Sequence, residues 1–183
     1  MCGITGYYSL QKKFSENDLT QMTNALSHRG PDAAGYFFNQ EKTVGLGHRR
    51  LSIIDLSEAA NQPMLSHSEK YVMVFNGEVY NFREIKEQLK ISTRTTSDTE
   101  IILEAFEKLG ADFVNLLNGM FAIAIYDKAE KKLFRKSKLT VKVVSLIIFA
   151  INELYISINN DINLCFVHLF IILINSELFP LMT

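Results

Sequence analysis

Met1-Cys2-Gly3-Ile4-Thr5-Gly6 is the stretch around which the rest of the sequence is arranged. Initiator methionine is usually removed before a small second residue, and Cys2 would then be N-terminal. That residue would carry a thiol, with a reference pKa of about 8.5, and an α-amine, with a reference pKa of about 8. A neutral amine beside the thiol can accept its proton, which activates the sulfur as a nucleophile. The alternative is a small buried apolar side chain, the commoner role of a lone cysteine.

Length, charge and cysteine content describe one globular domain. The 183 residues are enough for a hydrophobic core. The net charge of −1 and the scattered basic residues exclude a basic face for nucleic acid. Cys2 and Cys165 do not form a disulfide framework, and no signal peptide precedes the first apolar run. We therefore predict a cytoplasmic protein with neither a nucleic-acid nor a membrane partner.

The composition changes near residue 135. Residues 141–151 and 162–174 are almost wholly apolar, but each is shorter than the roughly 18 residues of a membrane helix. They are either buried strands or a tail that does not fold. We expect the second for most of it, with little ordered structure beyond about residue 160 and low solubility, because unpaired apolar strands associate edge to edge.

Periodic patterns predict the secondary structure of the remainder. Strands are predicted at residues 4–9, 36–39, 44–48, 71–75, 120–126 and 132–134. Helix starts are predicted from the pairs Ser15 with Asp18, Asn81 with Glu84 and Ser97 with Glu100. The helix after Ser97 is expected to end at Gly110. This alternation of strands and helices indicates an α/β (α+β) chain.

Asn76-Gly77-Glu78 admits two interpretations. Asn-Gly after a β-forming run is most often a simple turn. However, a helix is predicted directly afterwards, and a strand, a turn with a free backbone amide and then a helix can form an oxyanion site.

Arg50 and Asp98 are also ambiguous when each is taken alone. Arg50 is either a solvated arginine of an edge strand or a planar fork for a carboxylate. Asp98 suits the first turn of a helix whatever its other role, since carboxylates favour helix N-termini. No glycine-rich phosphate loop occurs, and the four histidines have no metal-ligand spacing with the cysteines.

The order of the motifs along the chain is far more specific than any one of them. The motifs are residues 1–6 (MCGITG), 28–32 (HRGPD), 50–55 (RLSIID), 62–64 (QPM), 76–81 (NGEVYN), 97–100 (SDTE) and 119–122 (GMFA). In this order they resemble the class II glutamine amidotransferase domain, and within that class the glutamine-hydrolysing asparagine synthetase family. The resemblance covers residues 1 to about 134.

The resemblance implies a role for each matching residue. Cys2 would attack the side-chain amide of glutamine, and Gly77 and Asn76 would stabilise the oxyanion. Arg50 would bind the substrate α-carboxylate, and Glu78 and Asp98 its α-ammonium. The segment Leu51, Ser52, Ile53 and Ile54 would complete that end of the pocket. Ammonia would leave, and water would release glutamate from a γ-glutamyl thioester.

The resemblance also implies a fold, cofactors and partners. The fold would be the four-layer αββα sandwich of N-terminal-nucleophile hydrolases, over residues 1–160, followed by a divergent hydrophobic tail at 161–183. The glutaminase site would need no cofactor and no metal. ATP with Mg²⁺ is implied only for the synthetase domain of a full-length parent, whose Ser-Gly-Gly-x-Asp-Ser motif does not occur in this sequence. L-Glutamine would be the substrate, and the parent family could form a homodimer.

The chain departs from the family after Phe134. The expected Ala-Arg-Asp, glycine and proline are replaced by residues 135–144, RKSKLTVKVV. Three hypotheses therefore remain open: a working glutaminase half-site, an inert remnant whose site residues are not held in place, and a glutamine-binding module. The acceptor of the ammonia, aspartate or another carboxylate, is also left open.

Overall fold

The computed structural model describes residues 2–138, 147–151 and 170–174. The strands in these ranges are β1 (Gly3–Tyr8), β2 (Ala33–Phe38), β3 (Val44–Arg50), β4 (Met64–Leu65), β5 (Tyr71–Val79), β6 (Gly119–Asp127), β7 (Lys132–Lys138), β8 (Ile147–Ile151) and β9 (Phe170–Ile174). The α-helices are α1 (Glu16–Ala25), α2 (Phe82–Gln88) and α3 (Asp98–Leu109), with short 3₁₀ helices at Glu58–Ala60 and Gly110–Leu116.

The strands form two sheets. The first has the order β2-β3-β1-β9-β8, in which β2, β3 and β1 are antiparallel and β9 adds parallel to β1. The second has the order β4-β5-β6-β7 and is antiparallel throughout. The β5–β6 register is continuous from Tyr71 opposite Asp127 to Val79 opposite Gly119.

Three apolar clusters show how the elements pack. Between the sheets lie Ile4, Tyr8, Val44, Leu46, Val72, Val74, Ala122, Ala124 and Tyr126. The other face of the second sheet packs on α2, α3 and the second 3₁₀ helix through a larger cluster centred on Met73, Phe75, Ile102, Phe113 and Ile123. Tyr7 packs with Leu19 of α1 on the other face of the first sheet. Along β5 and β6, successive buried residues belong alternately to two of these clusters, as expected when both faces of a sheet are covered.

Two of the predicted boundaries are confirmed in detail. The side chain of Ser15 accepts a hydrogen bond from Asp18 N, and the carboxylate of Asp18 accepts one from Ser15 N, so the capping box forms. Helix α3 ends at Gly110, which has a φ of 60°. Glycine adopts that backbone without a steric cost, which explains the stop.

The expected turn at Asn76-Gly77 is wrong. Strand β5 continues through both residues to Val79. A Cβ atom on Gly77 would lie 2.3 Å from Met120 O and 2.6 Å from Phe121 Cα. Gly77 is therefore needed for the close approach of β6, and glycine in a strand commonly marks such an approach.

Two of the expected helix caps are also wrong in detail. The side chain of Asn81 makes no cap; it donates to Leu116 O at 2.8 Å and accepts from Asn118 N at 2.9 Å. Ser97 precedes α3 as predicted but makes no side-chain cap either. The partners of Asn81 are distant in sequence, whereas the hydroxyl of Ser97 pairs with Thr95 Oγ1 just before the helix.

The tail differs from expectation in one respect. Strand β9 lies beyond residue 160 and pairs with β1 from Ile4 opposite Phe170 to Tyr8 opposite Ile174, so the expectation of little order there is wrong for these residues. Residues 139–146, 152–169 and 175–183, with Cys165 and His168, lie outside the described residues. Within the described part, no helix is long and apolar enough to span a membrane.

Deletion of residues 161–183 should lower the melting temperature by about 5 °C or more, because it removes β9 and leaves one edge of β1 unpaired. Deletion of residues 175–183 is the matched control, since it removes no described strand. Thermal unfolding followed by circular dichroism measures both. Equal melting temperatures for the two truncated chains would show that β9 does not stabilise the first sheet.

Candidate active site

The candidate site continues the inter-sheet core at one end of the two sheets. Side chains alternate between the faces of a strand, so residues two positions beyond a core residue lie on the same face. Cys2 lies two residues before Ile4, Arg50 four residues after Leu46, and Asn76 two residues after Val74. The alternation therefore brings the three predicted site residues from three strands to the same inner surface.

A pocket of about 180 Å³ opens at this end. Its lining includes every predicted site residue except Ser52, namely Cys2, Arg50, Leu51, Ile53, Ile54, Asn76, Gly77, Glu78 and Asp98. Ser52 instead donates its backbone N–H to Asp32 Oδ2 at 2.7 Å. The pocket is smaller than the roughly 300 Å³ of the smallest usual drug-sized sites, which suits a small metabolite.

Cys2 is half-buried and is held from two sides. Its Sγ accepts a hydrogen bond from Leu51 N at 3.4 Å. Its carbonyl oxygen accepts one from Arg29 Nε at 3.1 Å. The thiol also donates to Leu51 O at 3.7 Å, so the backbone of one residue fixes the position of the sulfur.

The loop at residues 28–32 fixes these contacts, a role that its sequence motif alone did not indicate. Asp32 N donates to Arg50 O at 3.0 Å, and Arg49 Nε donates to Gly30 O at 3.0 Å. A Cβ atom on Gly30 would lie 2.3 Å from Arg49 C. Only glycine lets this loop lie directly on the end of β3, from where Arg29 reaches Cys2.

Arg50 is buried, and its guanidinium is already oriented by protein acceptors. Nη1 donates to Ser57 O and to Asn61 Oδ1, both at 2.7 Å, and Nη2 donates to Asp55 O. These bonds use both hydrogens of Nη1 and one of Nη2. Nε and the second hydrogen of Nη2 make no hydrogen bond to any residue that the structure describes. The Nε–Nη2 edge is a side of the fork that can bind a carboxylate in a bidentate way.

The carboxylate of Asp55 joins two walls of the pocket, which the sequence did not reveal. Asp55 Oδ2 accepts from Thr96 N and Thr96 Oγ1, both at 2.9 Å, and Oδ1 accepts from Ser57 N and Oγ. The hydrogen bonds from Ser57 and Thr96 lower the pKa of this carboxyl well below its usual value. The loop that follows Arg50 is thereby tied to the start of α3.

The open edge of β5 supplies a free donor. In an antiparallel sheet the N–H groups of alternate residues point to opposite neighbours. Tyr80 N donates to Asn118 O beside β6, whereas Phe75 N and Val79 N donate to Gln62 Oε1 and Asp98 Oδ2 on the other edge. Gly77 N–H lies between the last two on the same edge. Among the described residues it has no acceptor.

Asn76 adds a second donor. Its side chain is 2% exposed and lines the pocket. It makes no hydrogen bond to any residue in the described ranges, although buried amides are normally paired. The free amide of Asn76 and the free N–H of Gly77 are thus neighbours on one strand.

Asp98 and Glu78 lie on the same side of the pocket. Asp98 is 5% exposed, and burial raises its pKa to about 6 against the opposing hydrogen bonds from Val79 and Thr99. The negative charge of Glu78 raises that pKa further. Glu78 itself is exposed. A buried carboxyl with a raised pKa is poised to gain from a cation in the pocket.

Two further buried groups support the site without lining it. Glu100 is fully buried and accepts from Arg94, Thr95 and His67, which together lower its pKa to about 2 against the effect of burial. His48 lies on the inner face of β3, where burial lowers its pKa to about 3 against the opposing effect of the Phe75 backbone. Within the described ranges, no group of three His, Cys, Asp or Glu side chains is arranged to hold a metal ion.

A family model described as "Glutamine amidotransferase domain" matches residues 1–142, and the chain belongs to that family. A protein of Methanocaldococcus jannaschii, provisionally named asparagine synthetase (glutamine-hydrolysing) 2, is 39% identical over 159 residues. That alignment covers 78% of this chain and 31% of the relative.

Two Bacillus subtilis proteins give the same result. Asparagine synthetase (glutamine-hydrolysing) 1 is 38% identical over 141 residues, which is 73% of this chain and 22% of that protein. Asparagine synthetase (glutamine-hydrolysing) 2 is 40% identical over 139 residues, which is 73% of this chain and 18% of that protein. The chain therefore spans less than a third of the length of these relatives.

Asp98→Asn should stabilise the protein at pH 8 by up to about 3 kcal/mol, the equivalent of a pKa raised by about two units. The raised pKa means that stability is lost as the pH rises through 4 to 6, while the variant has no such loss. Thermal melts between pH 4 and pH 8 measure the difference.

Asp55→Asn is the control with the opposite sign. Its carboxyl has a lowered pKa and stabilises the fold in the ionised form, so this variant should be less stable at pH 8. A stability difference for Asp98→Asn that does not change with pH would contradict the assignment.

Proposed function

We propose that this chain hydrolyses the side-chain amide of L-glutamine, with Cys2 as the nucleophile. The observation that carries the proposal is the pair of free donors at Asn76 and Gly77 in the same pocket as the Cys2 thiol. A thiol beside preorganised N–H donors is the arrangement that acyl transfer requires. Membership of the glutamine amidotransferase family and the names of the relatives support glutamine as the substrate.

We also propose the four-layer αββα sandwich of N-terminal-nucleophile hydrolases for the fold. The support is the order of the apolar clusters: α1 on the first sheet, the first sheet on the second, and the second sheet on α2 and α3. Cys2 directly precedes β1, so an N-terminal Cys2 would lie at the end of the inter-sheet core.

The two ends of the pocket match the two charges of an amino acid. The Nε–H of Arg50 and its remaining Nη2 hydrogen would donate to the α-carboxylate. Asp98 and Glu78 would bind the α-ammonium. An ammonium beside Asp98 would lower the raised pKa of that carboxyl, so that part of the cost of burying it is recovered when substrate binds. The backbone of the segment from Leu51 to Ile54 would shape this end.

The reaction would proceed in two halves. Once Met1 is removed, the α-amine of Cys2 accepts the thiol proton and the thiolate attacks the amide carbon of glutamine. The developing oxyanion accepts hydrogen bonds from Gly77 N–H and the amide of Asn76. The C–N bond breaks, the α-ammonium of Cys2 returns the proton to the leaving nitrogen, and ammonia departs. Water then attacks the γ-glutamyl thioester, which releases glutamate and regenerates the free thiol.

The destination of the ammonia is a separate proposal. The chain covers at most about a third of the relatives named asparagine synthetases, and the remainder of such a protein would hold the acceptor. We propose that the ammonia serves an amide-forming step on a carboxylate, carried out by a domain equivalent to the part of those relatives that this chain does not match.

Cys2→Ser should reduce glutamine hydrolysis by at least about 100-fold and leave the melting temperature nearly unchanged, because a hydroxyl is a far weaker nucleophile of similar size. Mass spectrometry after exposure to a glutamine-like electrophile should find the adduct on Cys2 of a chain that lacks Met1. Labelling confined to Cys165, or full turnover with Met1 retained, would overturn the role of Cys2.

Arg50→Lys should weaken glutamine binding about 30-fold or more, the equivalent of about 2 kcal/mol, since an ammonium cannot replace a bidentate fork. Arg83→Lys is the matched control, because Arg83 is exposed on α2 and does not line the pocket. The KM for glutamine measures both, and thermal melts check the fold. If the KM of Arg50→Lys stayed at the Arg83→Lys value, Arg50 would be only a structural residue.

A further inference from the structure

Strand β5 has a partner on only part of its outer edge. Strand β4 pairs with it at Met64 opposite Met73 and Leu65 opposite Val72, and goes no further toward the pocket. The remaining N–H groups on this edge belong to Phe75, Gly77 and Val79. A buried backbone N–H without an acceptor costs free energy. Because no described strand pairs with β5 here, Phe75 N–H and Val79 N–H need side-chain acceptors.

Gln62 supplies the acceptor for Phe75. Its side-chain oxygen lies 2.6 Å from Phe75 N, and its side-chain nitrogen lies 3.5 Å from Thr99 Oγ1. Because a backbone N–H can only donate, the atom that faces it must be the amide oxygen. Gln62 is 7% exposed, so this hydrogen bond is sheltered from water.

The backbone of Gln62 lies where the two sheets come close together. It precedes β4 of the second sheet by two residues. A Cβ atom on Gly35 of β2 would lie 2.0 Å from Gln62 O, so the main chain of Gln62 also packs directly against one face of β2 in the first sheet. This close packing on both sides holds the side chain of Gln62 against the edge of β5.

We propose that Gln62 is a positioning residue for the oxyanion site. It takes the place of a neighbouring strand at Phe75, as the carboxylate of Asp98 does at Val79, and the two fix the edge of β5 on either side of Gly77. The N–H of Gly77 stays free because no acceptor from the described residues stands between them. This inference rests on the proposed glutaminase reaction. It gives Gln62, which also lines the pocket, a role that acts through the edge of β5 and not through the reacting atoms.

The role predicts an effect on kcat rather than on KM. A displaced β5 edge would misalign the Gly77 donor, whose stabilisation is largest in the transition state, whereas the groups that bind the two charges of glutamine lie elsewhere. Loss of one oxyanion donor costs about 100-fold or more in kcat, and a misplaced donor should cost about 10-fold or more.

The experiment compares Gln62→Met, which has a similar shape but no strong acceptor, with Gln62→Glu, which keeps one for Phe75 N. We expect kcat to fall about 10-fold or more in Gln62→Met, with KM within about 3-fold, and to recover most of its value in Gln62→Glu. An unchanged kcat in Gln62→Met, or an equal loss in both variants, would overturn the proposal.

Asn39→Leu is the matched control for a general loss of stability. Asn39 is also a buried amide whose oxygen accepts from a strand N–H, Val44 N at 2.8 Å, but at the end of β3 remote from the pocket. We expect its melting temperature to fall while kcat stays at the wild-type value. A loss of kcat as large as that of Gln62→Met would mean that both variants act through stability alone.

Hydrogen exchange of the wild-type protein tests the strand substitution without turnover. The amides of Phe75 and Val79 should exchange slowly and that of Gly77 at least about 10-fold faster, because only the first two are hydrogen-bonded. Phe75 exchanging as fast as Gly77 would overturn the proposal, even if Gln62→Met failed to fold. Absence of turnover in the wild type with this exchange pattern intact would instead count against the glutaminase assignment alone.

Discussion

The close approach of β6 to β5 at Gly77 is the constraint on which the site depends. With no Cβ at this position, the β5–β6 ladder runs without interruption to Val79 and delivers Asn76 and Gly77 to the pocket as part of a strand. A strand is a more rigid mount for a hydrogen-bond donor than a turn would be. Oxyanion stabilisation requires such preorganisation, because the donors must already point where charge will develop.

The polar groups around this strand act in place of missing backbone partners. Gln62 and Asp98 accept from the edge of β5. Each brings a segment distant in sequence to the pocket, at the cost of burying a polar or charged side chain. For Asp98 that cost appears as a raised pKa, and a bound ammonium would offset it.

The pocket is assembled from both sheets, and each sheet contributes different functional groups. The first sheet and its loops supply Cys2, the proposed nucleophile, and Arg50. The second sheet supplies Asn76 and Gly77, and helix α3, which packs on it, supplies Asp98. The hydrogen bonds from Thr96 to Asp55 cross between these sides. Relative movement of the two sides would change the distance from Cys2 to Asn76 and Gly77, and these hydrogen bonds oppose it.

The sequence by itself determined the main strands and helices, the family and nine of the residues that line the pocket, because hydrophobic period, capping pairs and ordered motifs are local properties. It did not determine that β5 runs through Asn76-Gly77, that Ser97 and Asn81 do not cap their helices, or that β9 pairs with β1. Those outcomes depend on partners distant along the chain: Met120 O against Gly77, Leu116 O for Asn81, and the edge of β1 for β9. The roles of Asp55 and Gln62 could not be predicted for the same reason. Their oxygens accept hydrogen bonds from Thr96 and Phe75, which only the folded chain places beside them.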